Sequence, residues 1–155
     1  MIEDIVDKIK SLLETNLPAK LDEIEAARND AIVLNDVAAY YVTNRLKDTI
    51  VSYPCIFILG EETPSANMMG RKREFRHKII IRIFTRDMDE EVLRRQLWRY
   101  VEAVEKVLNQ DVTLAGLATY SVITAHKYSP AYKAGMLFVK DASLLLEVDE
   151  RYSVN

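Results

Sequence analysis

The residues best suited to chemistry lie in one short stretch, Arg71-Lys72-Arg73-Glu74-Phe75-Arg76-His77-Lys78, followed four residues later by Arg82. Residues 71 to 82 carry six Lys/Arg against the single Glu74. Positive charges on a reachable surface are what contact with phosphates requires. The same charges also serve a plainer purpose, since Lys and Arg at a strand end protect an edge from unwanted pairing. Single-strand binders interleave aromatic rings with their cations so that bases can stack. Only Phe75 is available here, and its phase places it on the core side of its segment.

Other chemistries find little to work with. A metal needs three or four ligands converging on one point, whereas the chain holds two histidines, His77 and His126, in different segments, and one cysteine, Cys55. No HxxxH or CxxC spacing occurs. His77 falls within an apolar alternation and reads as a hydrogen-bonded core histidine, while His126 reads as a strand-end residue. Cys55 cannot form an internal disulfide, and its neighbours Ile56 and Phe57 suit a buried thiol acting as a small hydrophobe. Nothing resembling GxSxG presents a nucleophile on a sharp turn. The four glycines, at 60, 70, 116 and 135, form neither of the phosphate-cradling motifs GxxxxGK[ST] and GxGxxG. Glu61-Glu62 reads as part of a solvated loop, and Asp87, Asp89, Glu90 and Glu91 as a helix N-terminus. The expectation is a chain with no cofactor, no metal and no catalysis.

Composition narrows the class further. With 155 residues, 49% apolar and 29% charged, the chain is about one domain long and has no repetitive or Pro/Gly-rich tract that would resist folding. Its apolar runs, such as Ile56 to Leu59 and Leu144 to Leu146, fall far short of the ~20 residues that cross a bilayer. Met1-Ile2-Glu3-Asp4 begins acidic and lacks the basic and apolar regions of a secretory signal, so a cytosolic protein is expected. The net charge of -3 shows no global basic excess, but the charge is uneven: residues 1 to 30 carry eight acidic against four basic side chains.

The elements that would position these groups follow from periodicity. Ile2, Ile5, Val6, Ile9, Leu12 and Leu13 repeat at spacings of three and four and predict a helix with one buried stripe. Asn16 is a possible cap for a second helical stretch with Pro18 in its first turn, continuing through Leu21 and Ile24, so that residues 1–30 form a bent helical arm. Residues 31 to 50 are ambiguous: Ala31 to Leu34 fits a strand, Asp36 to Leu46 a short helix. Tyr53 to Leu59 is continuously apolar, begins near Pro54 and ends at Gly60, as a strand covered on both faces would. Residues 61 to 74 read as a polar loop.

Phe75, His77, Ile79, Ile81 and Ile83 alternate with Arg76, Lys78, Ile80, Arg82 and Phe84, which predicts a strand with one apolar and one mainly basic face. Asp87 followed by Glu90 resembles an acidic capping box. Leu93, Leu97, Tyr100, Val101, Val104, Val107 and Leu108 then mark the stripe of a helix ending near Asn109. Tyr120 to Lys127 alternates as a further strand before a Ser129-Pro130 turn. The last strand, Ala142, Leu144, Leu146 and Val148, interleaves with residues that include Asp141, Glu147 and Asp149, giving it an acidic outer face.

The order implies an α+β fold: a mostly antiparallel sheet of about four strands with helices packed on one face, residues 51–150 forming the sheet-and-helix core of a single domain spanning 1–155. The basic face of one strand and the acidic face of the other either meet across a ladder within the chain or join one copy to the next.

Taken in order, several pieces resemble the tail terminator or tail completion proteins of long-tailed bacteriophages. They are the N-terminal amphipathic helix, Tyr53-Pro54-Cys55-Ile56-Phe57-Ile58-Leu59-Gly60, a polar loop, and His77-Lys78-Ile79-Ile80-Ile81-Arg82-Ile83. The pattern continues through Asp87, Leu97-Trp98-Arg99-Tyr100-Val101-Glu102-Ala103-Val104, Thr113-Leu114-Ala115-Gly116, Tyr128-Ser129-Pro130 and Leu144-Leu145-Leu146-Glu147-Val148. The resemblance covers most of residues 50 to 150. It implies a structural virion subunit that forms a homo-oligomeric ring, commonly a hexamer, on the end of the tail tube and presents a docking surface to a head-tail connector or neck protein. It also implies assembly in the host cytoplasm, a final place in the virion tail or neck, and transient contact with DNA in the lumen. Under it, Arg71, Lys72, Arg73, Arg76, Lys78 and Arg82 become inter-subunit or lumen candidates, with Asp141, Glu147 and Asp149 as the acidic counter-surface. A neck subunit, a nucleic-acid-binding module using residues 71–82, and a small hydrolase are the competing readings.

Overall fold

Two long alternating segments, residues 72–87 and 137–153, form the centre of the sheet on which the fold is built. A computed structural model describes residues 2–43, 49–63, 65–69 and 72–153. It shows helices α1 (Ile2–Arg28) and α2 (Glu90–Gln110) with strands β1 (Ala39–Tyr41), β2 (Cys55–Glu62), β3 (Ser65–Met69), β4 (Lys72–Asp87), β5 (Tyr120–Tyr128), β6 (Tyr132–Ala134) and β7 (Leu137–Ser153). The strands form one seven-stranded sheet of order β1-β2-β4-β7-β5, with β3 added to β4 and β6 to β7. Among the described residues, only β1 and β2 pair in parallel, so the sheet is mostly antiparallel.

The four expected strands are present and three short ones join them. The expected loop over 61–74 is instead a strand hairpin: β2 continues to Glu62, and β3 pairs back on β4, Ser65 opposite Phe75 and Met69 opposite Lys72. Ser-Ala-Asn-Met-Met has neither alternation nor β-branched residues, so only the neighbouring strand makes it extended.

Alternate positions of the sheet feed two apolar clusters. Ile56 and Ile58 of β2, Ile79, Ile81 and Ile83 of β4, and Ala142, Leu144, Leu146 and Val148 of β7 pack with the buried stripes of α1 and α2. Cys55, Phe57 and Leu59, with Phe84 and Val139, form a second, smaller cluster with Ile50, Tyr53 and Tyr132.

Pro18 lies inside α1, which is one continuous helix rather than the expected bent pair. Asn16 caps nothing; its side-chain amide donates to the Leu12 carbonyl at 3.0 Å. A proline in a helix interior costs about 3 kcal/mol. Ile9, Leu13, Leu17 and Leu21 are completely buried on either side of it, and each such burial contributes about 1.5–3 kcal/mol, so packing outweighs the defect. Helix α2 starts two residues later than the Asp87 cap predicts. Asp89 is the cap, accepting from the Glu91 and Val92 amides, while Asp87 accepts from the Asp89 amide at 2.9 Å.

Residues 31–38 are neither strand nor helix. They are held against α2 by the Tyr100 hydroxyl on the Asn35 carbonyl at 2.6 Å, Gln96 on the Val33 carbonyl at 3.1 Å, and the ion pair of Arg99 with Asp30. The short helix expected over Asp36 to Leu46 does not form in its described part, where residues 39–41 are strand β1 instead; residues 44–48 lie outside the described residues. After α2, Leu114, Ala115 and Gly116 all take positive φ, at 50°, 57° and 88°. The Asp111 carboxylate holds this left-handed turn by accepting from the Thr113 hydroxyl at 2.7 Å and the Ala115 amide at 2.6 Å.

Pro18→Ala restores an amide to the middle of α1 without touching a buried side chain. It is expected to stabilise the protein by about 1–3 kcal/mol, read as a raised denaturation midpoint at unchanged m-value.

Candidate functional site: the charged face of the β4–β7 ladder

Period-two phase carries Glu74, Arg76, Lys78, Ile80, Arg82 and Phe84 onto one face of β4, and Asp141, Ser143, Leu145, Glu147, Asp149 and Arg151 onto the same face of β7. The register brings their charges together within one chain: Glu74 lies opposite Arg151, Arg76 opposite Asp149 and Lys78 opposite Glu147. The Arg76 guanidinium donates to Asp149 at 2.9 Å, and that of Arg151 to Glu74 at 3.1 Å. Both pairs are largely exposed, so solvent screens them and each adds little to stability.

Arg82 reaches diagonally to Asp141 at 3.1 Å. Asp141 is 4% exposed, and its carboxylate also accepts from the Ser129 hydroxyl, while the Ser129 amide donates to the Asp141 carbonyl at 2.9 Å. The Ser129-Pro130 turn is thus fastened to β7. These residues, with Leu59, Ile80, Lys127 and Ser143, line a groove of about 460 Å³ that also contains Glu61. Two cations and two carboxylates share it, a balance suited to polar contact with another protein surface rather than to capture of an anion.

Of the expected basic residues, the structure therefore brings Arg76, Lys78 and Arg82 to a common face with all three expected acids. Arg71 lies outside the described residues, and so do the side chains of Lys72 and Arg73, whose backbone begins β4.

One constellation escaped the sequence reading. His77 is completely buried; its Nδ1 lies 2.9 Å from the Thr63 hydroxyl and its Nε2 2.7 Å from the Glu150 carboxylate. Nε2 can donate to the carboxylate, while the Thr63 hydroxyl, which can both donate and accept, meets Nδ1. Hydroxyl, imidazole and carboxylate in line is also the order that activates a nucleophile in hydrolases. Here it ties three segments, the end of β2, the start of β4 and the end of β7. A polar residue in an apolar phase was the signal that partners must exist, but Glu150 is 73 positions away.

Cys55 is completely buried, and burial pushes its thiol up to about 12. His126 of β5 lies 3.5 Å from Glu105 of α2. Among the described residues, no group of three or more His, Cys, Asp or Glu is placed to hold a metal ion, and no helix is long and apolar enough to cross a membrane.

No family model matches the chain, and no curated protein matches it. Among solved structures, it is similar to a chain described as "Virion of native gene transfer agent (GTA) particle", with a TM-score of 0.44 and 12% identity over 93% of this chain and 98% of that one.

Two outcomes check these ties. Asp141→Ala strands Ser129 and the half-buried Arg82 guanidinium and should cost about 2–4 kcal/mol. Adding Arg82→Met should return part of that loss, so a double-mutant cycle in urea is expected to show coupling of at least about 0.5 kcal/mol. At the Arg99–Asp30 pair, the guanidinium hydrogen bond lowers the Asp30 carboxyl from 3.8 to about 2. Because the folded value is the lower one, the pair's contribution is complete above 3.8 and is lost as pH falls through 2. Asp30→Asn should melt earlier than the wild type at pH 5, with the two melting temperatures converging as pH drops toward 2.

Proposed function

We propose that the chain is a structural virion subunit, a tail terminator that caps the phage tail tube as a homo-oligomeric ring and offers a docking surface to the head. The observation that carries this reading is the order of pieces from Tyr53 to Val148, which resembles that group and falls within one continuous sheet-and-helix unit. The use of the charged residues agrees with it. Arg76, Arg82, His77, Asp141 and Asp149 are all engaged in ties within the fold, as befits a subunit whose work is to hold shape.

On this reading the protein acts without catalysis and without a cofactor. Its partners are further copies of itself, six in number as is common in that group, the tube protein below, and a connector or neck protein above. It assembles in the host cytoplasm and ends in the virion, with DNA passing through the lumen. A nucleic-acid module based on residues 71–82 is less favoured, because Arg76 and Arg82 already spend their charge on Asp149 and Asp141.

Light scattering over micromolar concentrations, alone and with polymerised tail tubes, tests the reading when combined with imaging of tube ends. The expected outcome is a closed ring, or density added at one tube end only. A strict monomer that ignores tubes throughout the range sinks it.

A further inference from the structure

Around the start of β4 and the end of β7, the sheet ends in two unlike edges. Ser65 of β3 pairs with Phe75, Phe75 with Glu150, and Tyr120 of β5 with Asp149, so the local order is β3-β4-β7-β5. Among the described residues, no strand pairs with the outer side of β3 or of β5.

Folded proteins guard such edges with lysines, bulges and twists, since a row of unpaired amides and carbonyls is a template for another chain. Strand β5 is guarded in its second half only. Its register shifts between Ile123 and Ala125, and His126 and Lys127 follow. The first half, Tyr120-Ser121-Val122-Ile123, carries no charge, and the side chains of Tyr120 and Val122 are 49% and 37% exposed. Strand β3, Ser65-Ala66-Asn67-Met68-Met69, is also without charge; it is five residues long, and its register on β4 shifts between Ser65 and Met68. Two short neutral edges can be brought together without desolvating an ion, and each offers amides and carbonyls to the other's open ladder.

We propose that the first half of β5 receives β3 of a second copy of this chain as an added strand. Joining unlike edges is a heterologous contact that repeats from copy to copy, the kind of contact a ring requires; it gives a ring where the rotation closes and an open filament where it does not. Pairing β5 with itself would give a two-fold dimer and leave β3 open. The inference rests on the ring reading above and supplies its interface.

Hydrogen exchange on the full chain, free and assembled, is the test, together with Val122→Lys, which adds a guard charge at an exposed position. In the assembly, amides of residues 120–123 and 65–69 are expected to exchange about tenfold more slowly or better. Val122→Lys should raise the concentration needed for assembly by about tenfold or more while leaving the melting temperature of the monomer unchanged. Wild-type rings whose β5 amides exchange as in the monomer, or that Val122→Lys forms equally well, overturn the pairing and leave the terminator reading standing. Protection of β5 without protection of β3 overturns the choice of occupant. Protection of both, with disulfide capture between Ala66→Cys and Val122→Cys in copies that ignore tail tubes, upholds the pairing and sinks the terminator reading.

Discussion

The antiparallel ladder between β4 and β7 is the constraint on which the rest depends. It runs unbroken from Lys72 opposite Ser153 to Asp87 opposite Phe138, and with a side-chain period of two a slip of one residue would exchange its faces. In the observed register, Ile79, Ile81 and Ile83 share a face with Leu144 and Leu146, against which both helices pack. The same register sets Arg76 beside Asp149 and Lys78 opposite Glu147 on the other face. Core and charge agree on one alignment: a slip of one residue would bury ions and expose isoleucines, and a slip of two would separate Arg76 from Asp149 and Glu74 from Arg151.

Elements whose pattern is local were legible in advance. The buried stripe of α2 from Leu93 to Leu108 and the alternations of β4 and β7 follow from spacing alone, because each buries enough apolar surface to decide its own conformation. What could not be read depends on distant partners. The β3 hairpin has no pattern of its own and exists because β4 extends past the core. Continuity through Pro18 depends on a stripe that stays buried on both sides of it, whereas local propensity argues for a break. The cap of α2 was misplaced because Asp87, Asp89 and Glu90 all offer side-chain oxygens, and only the path out of β4 selects Asp89.

The charged residues show the same division. Which face each one occupies was visible from phase, but whether the basic and acidic faces meet within one chain was a question of register that the sequence left open. The Thr63–His77–Glu150 chain lay further out of reach, since it joins three segments at the margin of the sheet. It places a polar brace, with His77 fully buried, next to Ile79 and Val148, where the apolar face of the β4–β7 ladder ends. Beyond that point the sheet relies on hydrogen bonds and cross-strand pairs such as Arg151 with Glu74, rather than on a packed core.

The left-handed turn after α2 bears on the open edge. Non-glycine residues in that conformation cost about 1 kcal/mol each, and Leu114 and Ala115 both adopt it. The Asp111 carboxylate offsets that cost through its bonds to Thr113 and Ala115, and Leu114 is fully buried against the main core. The turn reverses the chain so that the Thr119 amide reaches the Asp149 carbonyl at 2.7 Å, which fixes where β5 begins along β7. Tyr120 and Val122 owe their position on the sheet's outermost strand to this reversal. The uncharged half of the edge is therefore held by a strained turn with its own carboxylate clamp, in keeping with an edge whose alignment matters to something outside the chain.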